Sequence, residues 1–220
     1  MSETQETEFL EASDHWLEAA VWLGLSLRMT GATEVHWGAH YYLLQLSRLQ
    51  YACELSYHRI KEASKIADSE DHRTAMAGIG RLYLDIHAFL VSAHAYWRTI
   101  EKLNTLLNLA ELDEAIAHNQ LVADETKTAR DHLEHIVERI QIGRPPHFGH
   151  PMDAQTFRGA MGRFEGDQIT FGDETFRLGA INTAIRNVGR AVAPALRQAT
   201  IPVITVRVTE PEQESVQPGR

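Results

Sequence analysis

Apolar residues recur every three or four positions over two long stretches of the chain, which is the spacing of amphipathic helices. The first predicted helix covers about 37–66, and the second runs from about residue 75 or 81 to 107. The polar segment DSEDH separates them, and Gly78 and Gly80 weaken the start of the second helix. The apolar positions are Tyr41, Leu44, Leu46, Leu49, Ala52, Leu55, Ile60, Ala63 and Ile66 in the first, and Leu82, Leu84, Ile86, Phe89, Leu90, Ala93, Trp97, Ile100, Leu103 and Leu107 in the second.

Three shorter segments complete a predicted antiparallel helical bundle. A helix over 8–28 has Phe9, Leu10, Trp16, Leu17, Ala20, Leu23 and Leu27 at approximate helical spacing. A short helix covers about 112–122. The next helix begins near Asp124, its predicted N-cap, and ends at about Ile142, before a glycine and two prolines.

The pattern changes after residue 143. The segment 143–167 is rich in Gly and Pro and predicts a loop, whereas QITFGDETFRL predicts a β-hairpin with its turn at Gly172 and Asp173. A last helix is predicted over about 180–198, and IPVITVRV suggests a strand. We therefore divide the chain into an N-terminal helical extension (1–35), the helical bundle (36–143), a linker, hairpin and C-terminal helix (144–200), and a short strand followed by a disordered tail (201–220).

Composition narrows the class of protein. The 220 residues are 44% hydrophobic and 23% charged, with a formal net charge of −9, so nucleic acid would bind only at a local basic patch. The single cysteine, Cys53, excludes an internal disulfide and a cysteine-rich zinc site. The acidic N-terminal sequence lacks the features of a signal peptide, and no stretch reaches the roughly 18 apolar residues of a membrane helix. We expect a cytoplasmic protein with no membrane partner.

The segment TARDHLEHIVERI (128–140) concentrates the candidate chemistry. On a helix its apolar residues Leu133, Ile136, Val137 and Ile140 form one seam, and the charged residues lie beside or opposite that seam. One interpretation is a solvated helix face whose Arg130–Glu134 and Asp131–His135 pairs are spaced four residues apart. A second is a metal site at His132 and His135. The chain has no Glu-x-x-His pair of the di-iron bundle type, so we expect no metal and no cofactor.

A third interpretation comes from resemblance. Arg130, Asp131 and His135 match the arginine, polar residue and spaced histidine of the HEPN (higher eukaryotes and prokaryotes nucleotide-binding) superfamily, and the chain resembles it over about 37–142. The longer string ARDHLEHIVERI also resembles bacterial proteins that carry Arg-Asn-x-x-Glu-His followed by Glu-Arg. The resemblance implies Arg130, Asp131 and His135 as catalytic residues, with supporting neighbours Glu134, His132, Glu138 and Arg139.

The resemblance implies metal-independent RNA cleavage or RNA and nucleotide binding, at a site shared by two subunits. A histidine can exchange a proton with a ribose hydroxyl, and an arginine can hold the phosphate. Because His135 points away from its own seam, a cleft around it requires a second copy, so we expect a homodimer. The nearby acids oppose phosphate binding, and Lys127, Arg139, Arg144 and Arg163 are the basic residues close enough in sequence to offset them.

Other residues of chemical interest lie on the second long helix. His87 and His94 share one face, and we interpret them as core or interface histidines. Trp97 and Arg98 could sandwich a base, although a tryptophan at seam spacing is typical of a core. The sequence thus predicts a mainly α, HEPN-like antiparallel bundle with a small C-terminal β-hairpin and helix. Its predicted role is RNA-directed, and the alternative is a non-enzymatic homodimeric interaction protein.

Overall fold

The computed structural model describes residues 15–25, 27, 34–134, 163–171 and 174–205. These residues form a mainly α fold, and the predicted bundle with a small C-terminal β element and a last helix is confirmed. The elements are α1 (15–25), α2 (Glu34–Ala67), α3 (His72–Leu107), α4 (Ala110–His118), α5 (Gln120–Glu134), β1 (Arg163–Glu165), β2 (Gln168–Phe171), β3 (Glu174–Arg177) and α6 (Leu178–Thr205).

The two long helices, α2 and α3, form an antiparallel hairpin that is the frame of the bundle. Residues 68–71 join them, and Asp71 caps α3 by accepting a hydrogen bond from the Thr74 backbone N–H over 2.8 Å. At the joined end, a Cβ on Gly78 would lie 2.5 Å from the Ala67 backbone nitrogen. The helices are therefore in very close contact there, which explains why α3 tolerates a glycine near its start.

The buried core runs the length of this hairpin, with α1, α4, α5 and α6 packed around it. Burying these side chains is the main source of stability. Cys53 is fully buried, and burial raises the pKa of its thiol far above the usual range. The largest fully buried side chains are Trp16, Tyr96, Phe89, Leu43, Leu46, Ile60, Ile86, Leu90, Ile100, Leu103, Leu112 and Ile169.

A chain of polar side chains crosses this core and links three helices. Trp16 Nε1 in α1 donates a hydrogen bond to Gln50 Oε1 over 3.0 Å, and Gln50 Nε2 donates to Glu54 Oε1 over 3.3 Å. Arg186 in α6 forms an ion pair with Glu54, with Nε 3.5 Å from Oε1. Glu54 is only 3% exposed, so its charge is stabilised by these contacts more than by water.

The β element is a three-stranded antiparallel sheet in the order β1-β2-β3. Ile169 in β2 pairs with Phe164 on one side and Phe176 on the other, and Ile169, Phe171 and Phe176 are buried. The predicted hairpin is confirmed as β2 and β3. The expectation that 143–167 is all loop is wrong for β1. A strand of three residues is too short to show a clear alternation of apolar and polar positions in the sequence. The predicted turn of the β2–β3 hairpin, Gly172 and Asp173, lies outside the described residues.

Asp167, in the turn between β1 and β2, ties the sheet to two helices. Its Oδ1 accepts a hydrogen bond from the Tyr57 hydroxyl over 2.8 Å, and its Oδ2 accepts one from the Gly179 backbone N–H at the start of α6 over 3.0 Å. Burial and the Asp167 carboxylate raise the pKa of Tyr57. The sheet is thereby fixed against α2 and α6 at the end of the molecule where α5 also packs.

Several predicted element boundaries are wrong. Helix α3 begins at His72, earlier than predicted, and the short helix covers Ala110–His118 instead of 112–122. Helix α5 begins at Gln120, so Asp124 is not an N-cap and instead accepts a hydrogen bond from Gln120 Nε2 over 3.0 Å.

Residues 201–205 continue α6 and do not form a strand. A helix continues within its own segment, although Pro202 donates no backbone hydrogen bond there, whereas a strand requires a partner strand. Residues 206–208 of the predicted strand, the C-terminal tail and the predicted helix end at Ile142 lie outside the described residues.

Three apolar residues placed in the predicted helix seams are exposed, namely Leu17 (43%), Tyr41 (57%) and Leu84 (71%). Approximate three- and four-residue spacing does not define which side of a helix packs on its neighbour, so these three side chains lie off the buried face. Within the described ranges, none of the helices combines the length and apolar character needed to cross a membrane.

Candidate functional site

An open cavity of about 340 Å³ lies between the C-terminal half of α3 and the outer face of α5. Such a volume is at the lower end of the range for small-molecule sites, about 300–1,000 Å³. The lining residues come from these two helices alone and are His94, Trp97, Arg98, Glu101, Gln120, Ala123, Asp124, Lys127 and Arg130. Arg130, the arginine of the predicted motif, is thus part of a defined concave site.

Arg130 is held in place by two carboxylates on its own helix. Its Nη2 lies 2.5 Å from Asp131 Oδ1, and its Nε lies 3.2 Å from Glu134 Oε2. The predicted Arg130–Glu134 pair four residues apart is therefore confirmed, and the Arg130 side chain is only 23% exposed. Asp131 and Glu134 orient the guanidinium and offset part of its charge, so the two acids act on the site through Arg130.

The cavity wall carries charges of both signs. Arg98, Lys127 and Arg130 supply three cationic groups, and Glu101 and Asp124 supply two carboxylates. Neither Arg98 nor Lys127 forms an ion pair with another side chain in the part of the protein that the structure describes. Both are exposed. They are accordingly available to an anion that enters the cavity.

His94 lines the same cavity and is partly buried. Burial lowers the pKa of His94, and the positive charges of Arg130 and Arg98 lower it further, while Asp131 and Glu134 act in the opposite direction. The imidazole is therefore predominantly neutral at neutral pH. The neutral imidazole has a free nitrogen that can accept a proton, and the two guanidinium charges oppose that step.

Trp97 forms the buried part of the cavity wall, with only 4% of its surface exposed. The prediction that it belongs to the core is confirmed. Because the ring is buried in the wall, it is not placed to sandwich a base together with Arg98. The indole Nε1 has no hydrogen-bond partner among the described residues.

His132, predicted as a supporting residue, lies on another side of α5 from the cavity. Its ring stacks on Phe171 of β2, with centroids 5.3 Å apart and planes 10° apart, and its Nε2 pairs with the Glu174 carboxylate of β3. The ring also contacts Phe176. His132 therefore joins α5 to the sheet, a packing role that is separate from the cavity.

Three predicted site residues, His135, Glu138 and Arg139, lie outside the described residues, as does Arg144. Of the other basic residues suggested near the motif, Lys127 lines the cavity, whereas Arg163 pairs with Glu165 on β1. In the described ranges, no group of three His, Cys, Asp or Glu side chains is arranged to hold a metal ion.

The sequence indicates the cavity only when the polar positions of two helices are considered together. His94, Arg98 and Glu101 are spaced by four and three residues on α3, and positions 120, 123, 124, 127 and 130 show the same spacing on α5. Each set marks one polar helix face. Recognising that the two faces meet requires knowing that α3 packs against α5.

The chain was compared with known proteins. No family model matches it, and neither a curated protein nor a solved structure matches it.

Proposed function

We propose that the protein binds a phosphate group of RNA or of a nucleotide in the cavity between α3 and α5, within the RNA-directed role implied by the HEPN resemblance. One observation carries the proposal. Three cationic side chains, Arg98, Lys127 and Arg130, converge on one cavity of a chain whose formal net charge is −9. Three cations gathered at one place on an acidic protein are a specific arrangement, because the overall field repels polyanions.

Each cation has a distinct role in this proposal. Asp131 and Glu134 orient Arg130 by contacting its Nε and Nη2, so the Nη1–Nη2 end of the guanidinium remains for a phosphate. Arg98 and Lys127 are exposed, and they supply charge with less preorganisation. The competing carboxylates limit the affinity, and we expect dissociation constants in the micromolar to millimolar range, about −8 to −4 kcal/mol.

Binding is supported better than cleavage. Asp131 and Glu134 offset part of the Arg130 charge, which weakens its use for the charge that develops during phosphodiester cleavage. His94 is the described histidine on the cavity wall, and because its pKa is lowered it is in the neutral form, which can accept a proton. The catalytic form of the proposal, a metal-independent ribonuclease, would combine Arg130 with His94 or with His135.

The experiment is a binding titration of fluorescently labelled single-stranded RNA in EDTA, followed by gel analysis of the same samples. Arg130→Gln should weaken binding by about tenfold, the scale of one charge-assisted hydrogen bond. The control Arg59→Gln removes an exposed arginine of α2 that does not line the cavity, and it should bind as the wild type does. The logarithm of the affinity should fall with the logarithm of the salt concentration at a slope of about −0.7, the value for one neutralised phosphate of a single strand.

The gel decides between the two forms of the proposal. Intact RNA together with Arg130-dependent binding supports a binding module, and cleavage in EDTA lost in Arg130→Gln supports the ribonuclease. Equal affinity of the wild type and Arg130→Gln for RNA and for 5′-AMP would contradict the proposal.

A second candidate function, homodimeric interaction, is favoured by the outer face of α1. Leu17, Val21, Trp22 and Leu25 are each 43–50% exposed on the side of the helix opposite the buried Trp16 and Leu23. A helix that is apolar on both sides is typical of one covered by another surface. Light scattering should give about twice the chain mass of 24.8 kDa. Val21→Asp should return the protein to a monomer; a wild-type monomer would exclude this candidate.

A further inference from the structure

The cavity next to Arg130 differs from an RNA-binding groove in shape. It is a single pocket of about 340 Å³ bounded by two helices, whereas a site that follows a polynucleotide backbone is an extended groove. We infer that this cavity is specific for a terminal phosphate group over an internal phosphodiester, and that His94 binds the phosphate as a fourth hydrogen-bond donor. This inference rests on the proposed function and names its ligand class.

The charges of the cavity wall favour the more highly charged ligand. A terminal phosphate carries about −1.5 to −2 charges at pH 7, and a phosphodiester carries one. Three cations face the cavity. Of the two carboxylates, Asp124 already accepts a hydrogen bond from Gln120. Each of the three cations attracts the more negative terminal phosphate more strongly than it attracts a phosphodiester, while the carboxylates oppose both ligands. The third free oxygen of a terminal phosphate can also accept one more hydrogen bond.

His94 is placed to donate that hydrogen bond once the phosphate is bound. In the free protein, burial and the charges of Arg130 and Arg98 keep its pKa low. A bound dianion offsets these two charges, which raises the pKa of His94 and leads the imidazole to take one proton from solvent. The charged groups around His94 are Arg98 and Glu101 on α3, and Asp124, Lys127, Arg130, Asp131 and Glu134 on α5.

The proton balance is simple. The free site binds the dianion and one proton from solvent, the proton resides on an imidazole nitrogen of His94, and no bond of the ligand breaks. A protonated imidazole donates a charge-assisted hydrogen bond to the phosphate, and this bond increases the binding affinity most for the dianionic group. A phosphodiester carries one charge and raises the pKa of His94 less, so its binding affinity increases less.

Calorimetric titration with 5′-AMP, 3′,5′-cyclic AMP and adenosine tests the inference. At pH 7.5 and low salt, 5′-AMP should bind at least about tenfold more tightly than cyclic AMP, and adenosine should bind most weakly. Repeating the titration in buffers of different ionisation enthalpy should show net proton uptake for 5′-AMP. His94→Asn should remove this uptake and reduce the preference for 5′-AMP to about threefold or less. The control His87→Asn changes an exposed histidine of the same helix, and it should keep both the proton uptake and the preference for 5′-AMP.

Proton NMR of the wild type supplies a readout that does not depend on a folded variant. The His94 ring signals should titrate at higher pH with 5′-AMP bound than in the free protein. Equal binding of 5′-AMP and cyclic AMP, or uptake that persists in His94→Asn, overturns the inference and leaves the phosphate-binding function standing. Absence of binding by all three ligands and by RNA overturns both.

Discussion

The ring of His132 stacks on the ring of Phe171, with centroids 5.3 Å apart and planes 10° apart, and this contact fixes how α5 is rotated. With His132 against the sheet, Arg130 and Lys127 line the cavity that α5 forms with α3. Two adjacent parts of one motif therefore have different roles. His132 joins the helix to the sheet, and Arg130 contributes to the candidate site.

The first prediction separates these roles. His132→Ala should lower the free energy of unfolding by about 1–3 kcal/mol, because it removes an aromatic contact and the partner of Glu174. Phosphate or RNA affinity should stay within about twofold of the wild type, a change below 0.5 kcal/mol. Urea denaturation and a binding titration measure the two quantities. His87→Ala, at an exposed position of α3, is the stability control, and we expect it to cost less than about 0.5 kcal/mol. A stable His132→Ala variant that fails to bind would place His132 in the site.

The second prediction concerns the two glycines at the start of α3. Gly78→Ala should destabilise the protein by about 1–3 kcal/mol, because the new Cβ would lie 2.5 Å from the Ala67 nitrogen and 2.7 Å from the Ile66 carbonyl carbon. Gly80→Ala should instead stabilise it by about 0.5–1 kcal/mol, since nothing lies within 4 Å of that Cβ and alanine favours the helix. Thermal denaturation of the matched pair should show opposite shifts in Tm. A Gly78→Ala variant as stable as the wild type would contradict the close packing of α2 against α3, and a destabilised Gly80→Ala variant would contradict the open space at that position.

These glycines show what a sequence pattern can and cannot predict. The apolar spacing predicted both long helices, but it assigned the same weakening effect to Gly78 and Gly80. Only the contact with Ala67 distinguishes them. In the same way, the helical spacing placed Arg130 beside the seam of α5. Which elements contact each side of α5 depends on tertiary packing. His94 is 36 positions from Arg130, and no local pattern indicates that the two residues share a cavity.

The third prediction is a pH dependence that arises from Glu54. Burial raises its pKa, and the charges of Arg186 and Arg190 and the hydrogen bond from Gln50 offset this only in part. The folded protein thus binds this proton more tightly than the unfolded chain does. The resulting stabilisation is complete below the unfolded pKa of about 4.3, and it is lost as the pH rises through the raised folded value.

Glu54→Gln should remove this part of the pH profile. The variant should be at least as stable as the wild type at pH 7, because a neutral amide costs less to bury than a carboxylate. Urea denaturation between pH 4 and 8 measures the effect, with Glu114→Gln on the exposed side of α4 as the control. A loss of more than about 2 kcal/mol at pH 7 would show that the ion pair with Arg186 is net stabilising, contrary to this account.

The most direct test of the central claim is a crystal structure of the protein with 5′-AMP. We predict that the phosphate lies in the cavity between α3 and α5, with its oxygens within hydrogen-bonding distance of Arg130 and at least one of Arg98 and Lys127. The His94 ring should also contact a phosphate oxygen. A well-ordered phosphate bound elsewhere on the protein, with this cavity empty in the same crystal, would contradict the claim.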